Sequence, residues 1–263
     1  MVVADVLRPD QADHDLKEFS ARASSSQPDQ PVSGPAADRP TLSREDVLGG
    51  ARAVVAAHGV AGLSMRRLAD HLQVWPTSIY HALGPGGKER LLEETVDTIV
   101  AAMPVAPEDA PWDARLRAWC EGMRQGLLPY PGVAGWMLTG RVTGPASIRH
   151  TESLLRILRD VGLLREDRAR FLVSIFTLIL SSVHGEVGES HGSRRLTHEH
   201  EFQESYARAL AAVPHEESML ARDLRDWLAT DTPDGQYRWG LELILRDLDA
   251  RHRAARSAAQ RRR

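Results

Sequence analysis

The chain has 263 residues, of which 42% are hydrophobic and 26% are charged, with a formal net charge of −3 and one cysteine. These values are ordinary for a soluble globular protein and allow one large or two modest domains. The single thiol, Cys120, excludes a disulfide within the chain and a thiolate metal cluster, and it fits a reducing cytoplasm. The negative net charge argues against a protein that coats nucleic acid unselectively.

Residues 1–42 are predicted to be a disordered extension. They carry a cluster of Ser, Pro, Gln and Asp and few large apolar residues that could offset the entropy lost on ordering. No secretory signal is expected, because residues 1–20 are acidic and interrupted by polar side chains. Ser43 followed by Asp46 is a capping-box pattern, which predicts a helix that begins there and ends at Gly59.

Residues 63–82 predict two short helices joined by a tight turn. Apolar side chains recur where such a helix-turn-helix buries its inner faces, and Ala69 is small enough to let the helices cross closely. The buried positions would be Leu68, Leu72, Val74, Ile79 and Ala82. The outward positions carry basic, hydroxyl and aromatic side chains, which suit the phosphates and base edges of DNA. Four basic residues face two acidic ones between residues 61 and 90, so the segment is locally positive.

The rest of the chain is also predicted to be helical, so the expected fold class is all-α. A helix over 88–103 and a proline-rich linker would complete a DNA-binding head at 43–103, followed by a helical effector-binding and dimerisation domain at 111–252. Its helices are predicted over 112–128, 133–138, 145–161, 167–188, 197–213, 216–230 and 234–252. The arginine-rich residues 253–263 are predicted to be a disordered basic tail. No membrane span is expected, because the longest apolar stretch is shorter than the roughly 20 residues required.

The order of these elements resembles the TetR family of transcriptional regulators, with a tetracycline-repressor-like C-terminal domain. The matching positions within the head are Gly59, Leu63, Ser64, Arg66, Leu68, Ala69, Leu72, Val74, Ile79, Tyr80, Lys88, Leu91 and Leu92. Three features depart from the family pattern. Gln73 replaces the usual turn glycine, Ala82-Leu83 replaces the usual His-Phe or His-Val pair, and residues 84–87 (Gly-Pro-Gly-Gly) lengthen the connection to Lys88.

The resemblance implies that the second helix of the motif enters the major groove of DNA. Ser64, Lys88 and the hydroxyl of Tyr80 would contact phosphates, and Arg66 would make a bidentate contact to guanine. The expected DNA-binding residues are Ser64, Arg66, Arg67, Trp75, Pro76, Thr77, Ser78, Tyr80, His81 and Lys88. The alternative for the two arginines is a solvated helix face, and Tyr80 could also serve packing.

The resemblance also implies a cavity among the helices after the linker, in which a small ligand would shift the helix over 88–103. The expected lining residues are Val96, Ile99, Met103, Trp119, Met123, Trp136, Met137, Phe171, Ile175 and His184. For each of them the alternative is core packing. Two His/Glu groups, at 184–191 and 198–201, lack the His-x-x-x-His spacing of a helical metal site, so neither a metal nor another cofactor is expected.

The leading hypothesis is a cytoplasmic, homodimeric repressor that a small, hydrophobic effector releases from a palindromic DNA operator. By resemblance, the helices over 167–188 and 234–252 would form the two-fold interface through the apolar side chains Leu172, Ile175, Ile179, Val183, Leu241, Ile244, Leu245 and Leu248. Intramolecular core is the alternative for half of these. Two other functions remain open: an all-helical small-molecule-binding protein or enzyme without a DNA role, and a DNA-binding activator that needs no ligand. No catalytic residue set or phosphate-binding loop is present, so an enzyme is not expected.

Overall fold

The computed structural model describes residues 42–105, 108–140, 144–187, 204–223 and 232–261. These residues contain helices and connecting turns and no strand, which confirms the all-α prediction. The extension expected at 1–42 lies outside them except for Leu42. The predicted helices over 197–213 and 216–230 lie within them only in part.

The helices are numbered here in chain order. They are α1 (Arg44–Gly62), α2 (Met65–Leu72), α3 (Pro76–Leu83), α4 (Gly87–Ala101), α5 (Trp112–Leu127), α6 (Val133–Met137), α7 (Pro145–Asp160), α8 (Arg165–Val187), α9 (residues 204–211), α10 (His215–Asp223) and α11 (Pro233–Arg261). Most boundaries fall within a few residues of the predicted ones.

Helix α1 begins as the sequence predicted. The side chain of Ser43 accepts a hydrogen bond from the Asp46 amide at 3.1 Å, and the Asp46 carboxylate accepts one from the Ser43 amide at 3.0 Å. Gly59 interrupts the helix with a φ of 69°, a left-handed conformation that favours glycine, and the helix then resumes for three residues to Gly62. The expected stop at Gly59 is therefore a kink.

Helices α5, α8 and α11 are joined by a buried arginine that was not predicted from the sequence. Arg124 on α5 is 3% exposed and donates hydrogen bonds to Ser182 and Glu186 on α8. It also lies 3.1 Å from the Asp234 carboxylate at the start of α11. A buried guanidinium is tolerated only when it is paired in this way, so these partners fix where the three helices meet.

Helix α8 is long and apolar enough to cross a membrane by length and composition alone. In this structure it packs against α5, α6, α7 and α11, and its side chains Ile175, Ile179 and Val183 are fully buried. These three side chains therefore belong to the interior of the helical bundle.

The expectation that the apolar faces of α8 and α11 form an interface between subunits is wrong for most of the residues that carried it. Ile175, Ile179 and Val183 of α8 and Leu241, Leu245 and Leu248 of α11 are buried inside the chain, and Leu172 and Ile244 are half-buried against the same core. The two helices satisfy these faces with each other, because each lies within contact distance of the other.

The expected end of the last helix near His252 is also wrong. Helix α11 continues to Arg261, through most of the segment that was predicted to be a disordered tail. Residues 251–261 contain alanine and arginine and neither glycine nor proline. These are strong helix formers, so nothing in the local sequence stops the helix.

Candidate DNA-binding surface and effector cavity

Helices α2 and α3 form the helix-turn-helix that the sequence predicted. Leu68 and Ile79 are fully buried between them and α1, and Ala69 is 2% exposed. Gly50 of α1 permits the close approach, because a Cβ there would lie 2.6 Å from Cδ2 of Leu72. Gly50 was not among the predicted packing positions, although a glycine inside an amphipathic helix is a sign of tight packing.

The turn between α2 and α3 depends on Gln73. This residue adopts the left-handed conformation, with φ 54° and ψ 42°, at the position where glycine is usual in the family. The amide of Val74 then donates to the carbonyl of Ala69 at 3.1 Å, which ends α2. A side chain in this conformation costs roughly 1–2 kcal/mol.

The ten expected DNA-binding residues lie on α2, on α3 with the turn before it, and at the start of α4. Ser64 and Ser78 are half-buried, and the remaining eight are exposed. Trp75 is 80% exposed and Tyr80 is 50% exposed, which is unusual for large aromatic side chains of a folded domain. A surface with exposed aromatic, hydroxyl and basic groups can contact both base edges and phosphates.

The two arginines of α2 differ in their surroundings. The guanidinium of Arg67 donates to the carbonyl of Gly62, and the amide of Arg67 donates to the side chain of Ser64 at 3.2 Å. Ser64 thereby caps α2. Arg66 is exposed and makes no hydrogen bond or ion pair with any other described residue. Arg66 is therefore the arginine whose donors are available to an external partner.

A cluster of charged side chains holds the end of α3 against α1 and α4. Arg44 of α1 donates to the carbonyl of Leu83 at 2.7 Å and pairs with the carboxylate of Glu94 on α4. Arg90 pairs with Glu94 at 2.9 Å and donates to the carbonyl of Pro85 at 2.8 Å. The long connection between α3 and α4 is thus fixed at both ends.

A cavity of about 220 Å³ lies among α4, α5, α7 and α8 and the end of α6 with the turn after it. We call it the inner cavity. Its lining residues are Val100, Met123, Met137, Gly140, Ser147, His150, Thr151, Phe176 and Leu180. Apolar walls with a few convergent polar groups are typical of small-molecule sites.

Two of the ten expected lining residues, Met123 and Met137, reach the inner cavity. Of the others, five are buried in the core elsewhere, which was the alternative open for them: Val96, Ile99, Met103, Trp119 and Ile175. Phe171 and Trp136 are half-buried, and His184 is exposed and lies against Gly135. Which residues bind an effector stays a prediction.

Helix α7 supplies a polar wall to this cavity that was not predicted from the sequence. His150 lies one turn from the buried residues Ala146 and Leu154, so it occupies a position of the helix that is otherwise apolar. A histidine in such a stripe was the available signal. The His150 side chain donates to the carbonyl of Val100, and burial lowers its pKa below the ordinary value of 6.5 despite that hydrogen bond.

Asp97 of α4 caps the start of α7. Its carboxylate accepts hydrogen bonds from the amides of Ala146 and Ser147 at 3.1 and 2.9 Å, and from the Ser147 hydroxyl at 3.0 Å. Gly144 is the cap residue of α7 and offers no side chain; a Cβ there would lie 2.1 Å from Asp97. Helix α4 therefore provides the cap in place of the local sequence.

Of the residues considered for a metal, His184 is exposed on α8, and the others are paired elsewhere or lie outside the described part of the chain. Glu186 pairs with Arg124, and positions 189, 191, 198, 200 and 201 are outside. Among the described residues, no three His, Cys, Asp or Glu side chains are grouped as a metal site would require. Cys120 is fully buried, and burial raises the pKa of its thiol to about 12.

Comparison with known proteins agrees with this arrangement. An HTH-type transcriptional regulator of Saccharopolyspora erythraea is 27% identical over 149 residues, which are 56% of this chain and 62% of that protein. The HTH-type transcriptional repressor DrrR1 of Streptomyces coeruleorubidus is 27% identical over 230 residues, or 84% of this chain and 81% of that protein. The chain thus spans less than two thirds of the length of the first relative.

The fold and the C-terminal part have counterparts of their own. The crystal structure of apo ActR from Streptomyces coelicolor has a TM-score of 0.67 at 23% identity and covers 83% of this chain and 100% of that chain, which shows a shared fold. The family model described as tetracyclin repressor-like, C-terminal domain, matches residues 103–251, more than half of the chain. The chain therefore belongs to the TetR family of transcriptional regulators.

Proposed function

We propose that this regulator is a homodimeric repressor, which binds a palindromic operator through α2 and α3 and is released by a small-molecule effector bound in the inner cavity. Its place of action is the cytoplasm. The observation that carries the proposal is the position of α4. Lys88 at its start adjoins the exposed helix-turn-helix, and Val100 near its end lines the cavity. A rigid helix about 20 Å long thereby connects the two sites.

The DNA part of the proposal depends on the ten residues named above. Helix α3 presents Thr77, Tyr80 and His81 to the major groove, and Trp75 offers an apolar contact to thymine methyl groups. Arg66 adds the base contact, and Lys88 neutralises a phosphate. The exposure of these side chains and the absence of a described partner for Arg66 support this assignment.

The effector part depends on contacts at the end of α4. His150 donates to the Val100 carbonyl, and Ser147 and its amide are bound to Asp97. Val100, Ser147 and His150 line the inner cavity, so a bound molecule would touch all three. A ligand that favours another arrangement of α7 against α4 biases the position of the head, because it binds the two states unequally.

The dimer part depends on side chains of α8 and α11 that remain exposed after these helices have packed. Val173 on α8 is 63% exposed, and Trp239 and Leu243 on α11 are 66% and 40% exposed. Exposed apolar groups on adjacent helices are typical of an interface between copies. The subunit interface thus uses outward faces of the same two helices that the family resemblance indicated.

The experiment is a titration of fluorescently labelled DNA followed by anisotropy. The wild-type chain is expected to bind DNA from upstream of its own gene much more tightly than a scrambled duplex of equal length, with strong weakening by salt. A hydrophobic aromatic effector that raises the melting temperature of the protein should release the specific DNA. Equal, weak binding of both duplexes would contradict the proposal and favour a small-molecule-binding protein or enzyme.

A further inference from the structure

A second cavity, of about 470 Å³, lies on the solvent side of α7 beside the inner cavity. We call it the outer cavity. It lies between the end of α4, the start of α5 and the exposed face of α7. His150 lines both cavities, so this one side chain stands at their boundary.

The outer cavity has a wall of charged side chains. Arg149 and Arg156 lie two turns apart on α7, and Arg115 faces them from α5. Glu152 and Glu108 also line it, and Glu152 pairs with Arg156 at 3.2 Å. Because Arg115 pairs with Asp160 as well, Arg149 is the guanidinium of this wall that has no ion-pair partner among the described residues.

One of these arginines has donors that a ligand can reach. Arg149 is exposed and has no hydrogen bond or ion pair to another described residue. Arg115 pairs with Asp160 at 2.7 Å through one terminal nitrogen, and its Nε is buried, out of reach of a molecule in the cavity. An exposed guanidinium with all its donors free can bind a carboxylate through two parallel hydrogen bonds.

The floor of the outer cavity is apolar. Ala101 and Ala146 line it, and Ile148 adds an exposed apolar side chain that is 61% accessible. Guanidinium groups above an apolar surface suit the end of an amphiphilic molecule that carries an anionic group. The inner cavity alone is smaller than the roughly 300–1,000 Å³ that enclose a drug-sized ligand, so a larger effector needs both.

We infer that the two cavities form one effector site for an elongated aromatic organic acid. Its aromatic body occupies the inner cavity, and its carboxylate or phenolate binds Arg149 in the outer cavity. The inference rests on the proposed function, because it assigns a chemical class to the effector of that function. His150 lies where the two parts of the ligand join.

The test uses two fluorescent probes that differ in charge: 1-pyrenebutyrate and its uncharged amide, 1-pyrenebutanamide. The full chain should bind pyrenebutyrate about ten times more tightly than the amide, since a charge-assisted hydrogen bond contributes at least that factor. Arg149→Gln should weaken pyrenebutyrate binding about tenfold and leave amide binding unchanged. The matched control is Arg159→Gln, which removes an exposed arginine of the same helix that does not line the cavity, and it should change neither.

A second variant tests the position of the aromatic body. Thr151 lines the inner cavity and is half-buried, so Thr151→Trp should narrow it and weaken both probes at an unchanged melting temperature. Equal affinity for the two probes, equal effects of Arg149→Gln and Arg159→Gln, or full pyrenebutyrate binding by Thr151→Trp would each overturn the inference. Measured on DNA-bound protein, charge-dependent binding without DNA release would support the site and contradict the proposed release.

Discussion

At the scale of single residues, the head is organised by side chains with separate tasks. Ser64 caps the start of α2, and Arg67 binds the carbonyl of Gly62 at the end of α1. Arg66, one position earlier, has no such contact among the described residues. Neighbouring arginines of equal charge can thus be expected to differ in their effect on DNA binding.

Arg66→Ala should weaken binding to the specific operator far more than binding to random DNA, by about 1–3 kcal/mol in discrimination. The measurement is anisotropy with both duplexes at one fixed salt concentration. Arg159→Ala, which removes an exposed arginine of α7, is the control and should change neither affinity. Equal losses on both duplexes would make Arg66 a phosphate contact.

Gln73→Gly should stabilise the protein by about 0.5 kcal/mol. Relief of the left-handed conformation gains roughly 1–2 kcal/mol, and the greater freedom of glycine in the unfolded chain takes back about 0.4–1 kcal/mol. Urea unfolding measures the change. Gln125→Gly, inside α5, is the matched control and should destabilise by about 1 kcal/mol. A loss of stability at position 73 would show that the Gln73 side chain makes a stabilising contact.

At the scale of elements, the relation between α4 and α7 decides how the two ends of the molecule are connected. Helix α7 begins at a glycine that cannot cap it, and the missing acceptor comes from α4. The cap is therefore broken whenever the two helices separate. This makes the contact sensitive to any ligand that enters between them.

Asp97→Asn should cost about 1–2 kcal/mol of stability and lower the effector concentration needed for DNA release, because this cap holds together the two helices that the effector separates. The amide keeps one acceptor but loses the charge that favours the start of a helix. Glu93→Gln, an exposed change of the same charge on α4, is the control. Chemical unfolding and DNA-release titrations measure the two effects. A variant that is destabilised but releases DNA at an unchanged effector concentration would show that the cap has no part in DNA release.

At the scale of the whole molecule, the proposed dimer predicts that one outward side chain of α8 matters more than an equally exposed one elsewhere. Val173→Asp should convert the dimer to a monomer at micromolar concentration and abolish specific DNA binding, because a buried unpaired carboxylate is costly at an interface. Leu164→Asp changes a residue that is 72% exposed outside α8 and serves as the control. Analytical ultracentrifugation gives the masses, and a dimeric Val173→Asp would place the interface on another face.

Acid should lower the free energy of unfolding through the protonation of His150. Its pKa is lowered in the folded chain by burial, so the unfolded state takes up the proton first as the pH falls. The folding stability that depends on a neutral His150 is fully present above a pH of about 6.5, and it is lost as the pH falls below that value. Unfolding free energy should thus decrease as the pH falls below about 6.5, and His150→Gln should flatten that slope while the exposed control variant His81→Gln keeps it.

The sequence by itself determined the local structure. The capping box at Ser43, the apolar spacing around Leu68 and Ile79, and the prolines and glycines between segments place most helices within a few residues. These signals are local, because each depends on backbone groups or side chains within one or two turns. The helix-turn-helix and its exposed residues could be read in this way.

Tertiary structure alone decided which apolar residues are core and which surround a cavity. Met123 and Val96 are equally apolar in sequence, yet one lines the inner cavity and the other is packed away from it. The faces of α8 and α11 that suggested a dimer interface are packed in the hydrophobic core of the chain itself. Asp97, Arg124 and Arg149 acquire their roles only from helices distant in sequence, because side chains meet their partners only when the helices are packed.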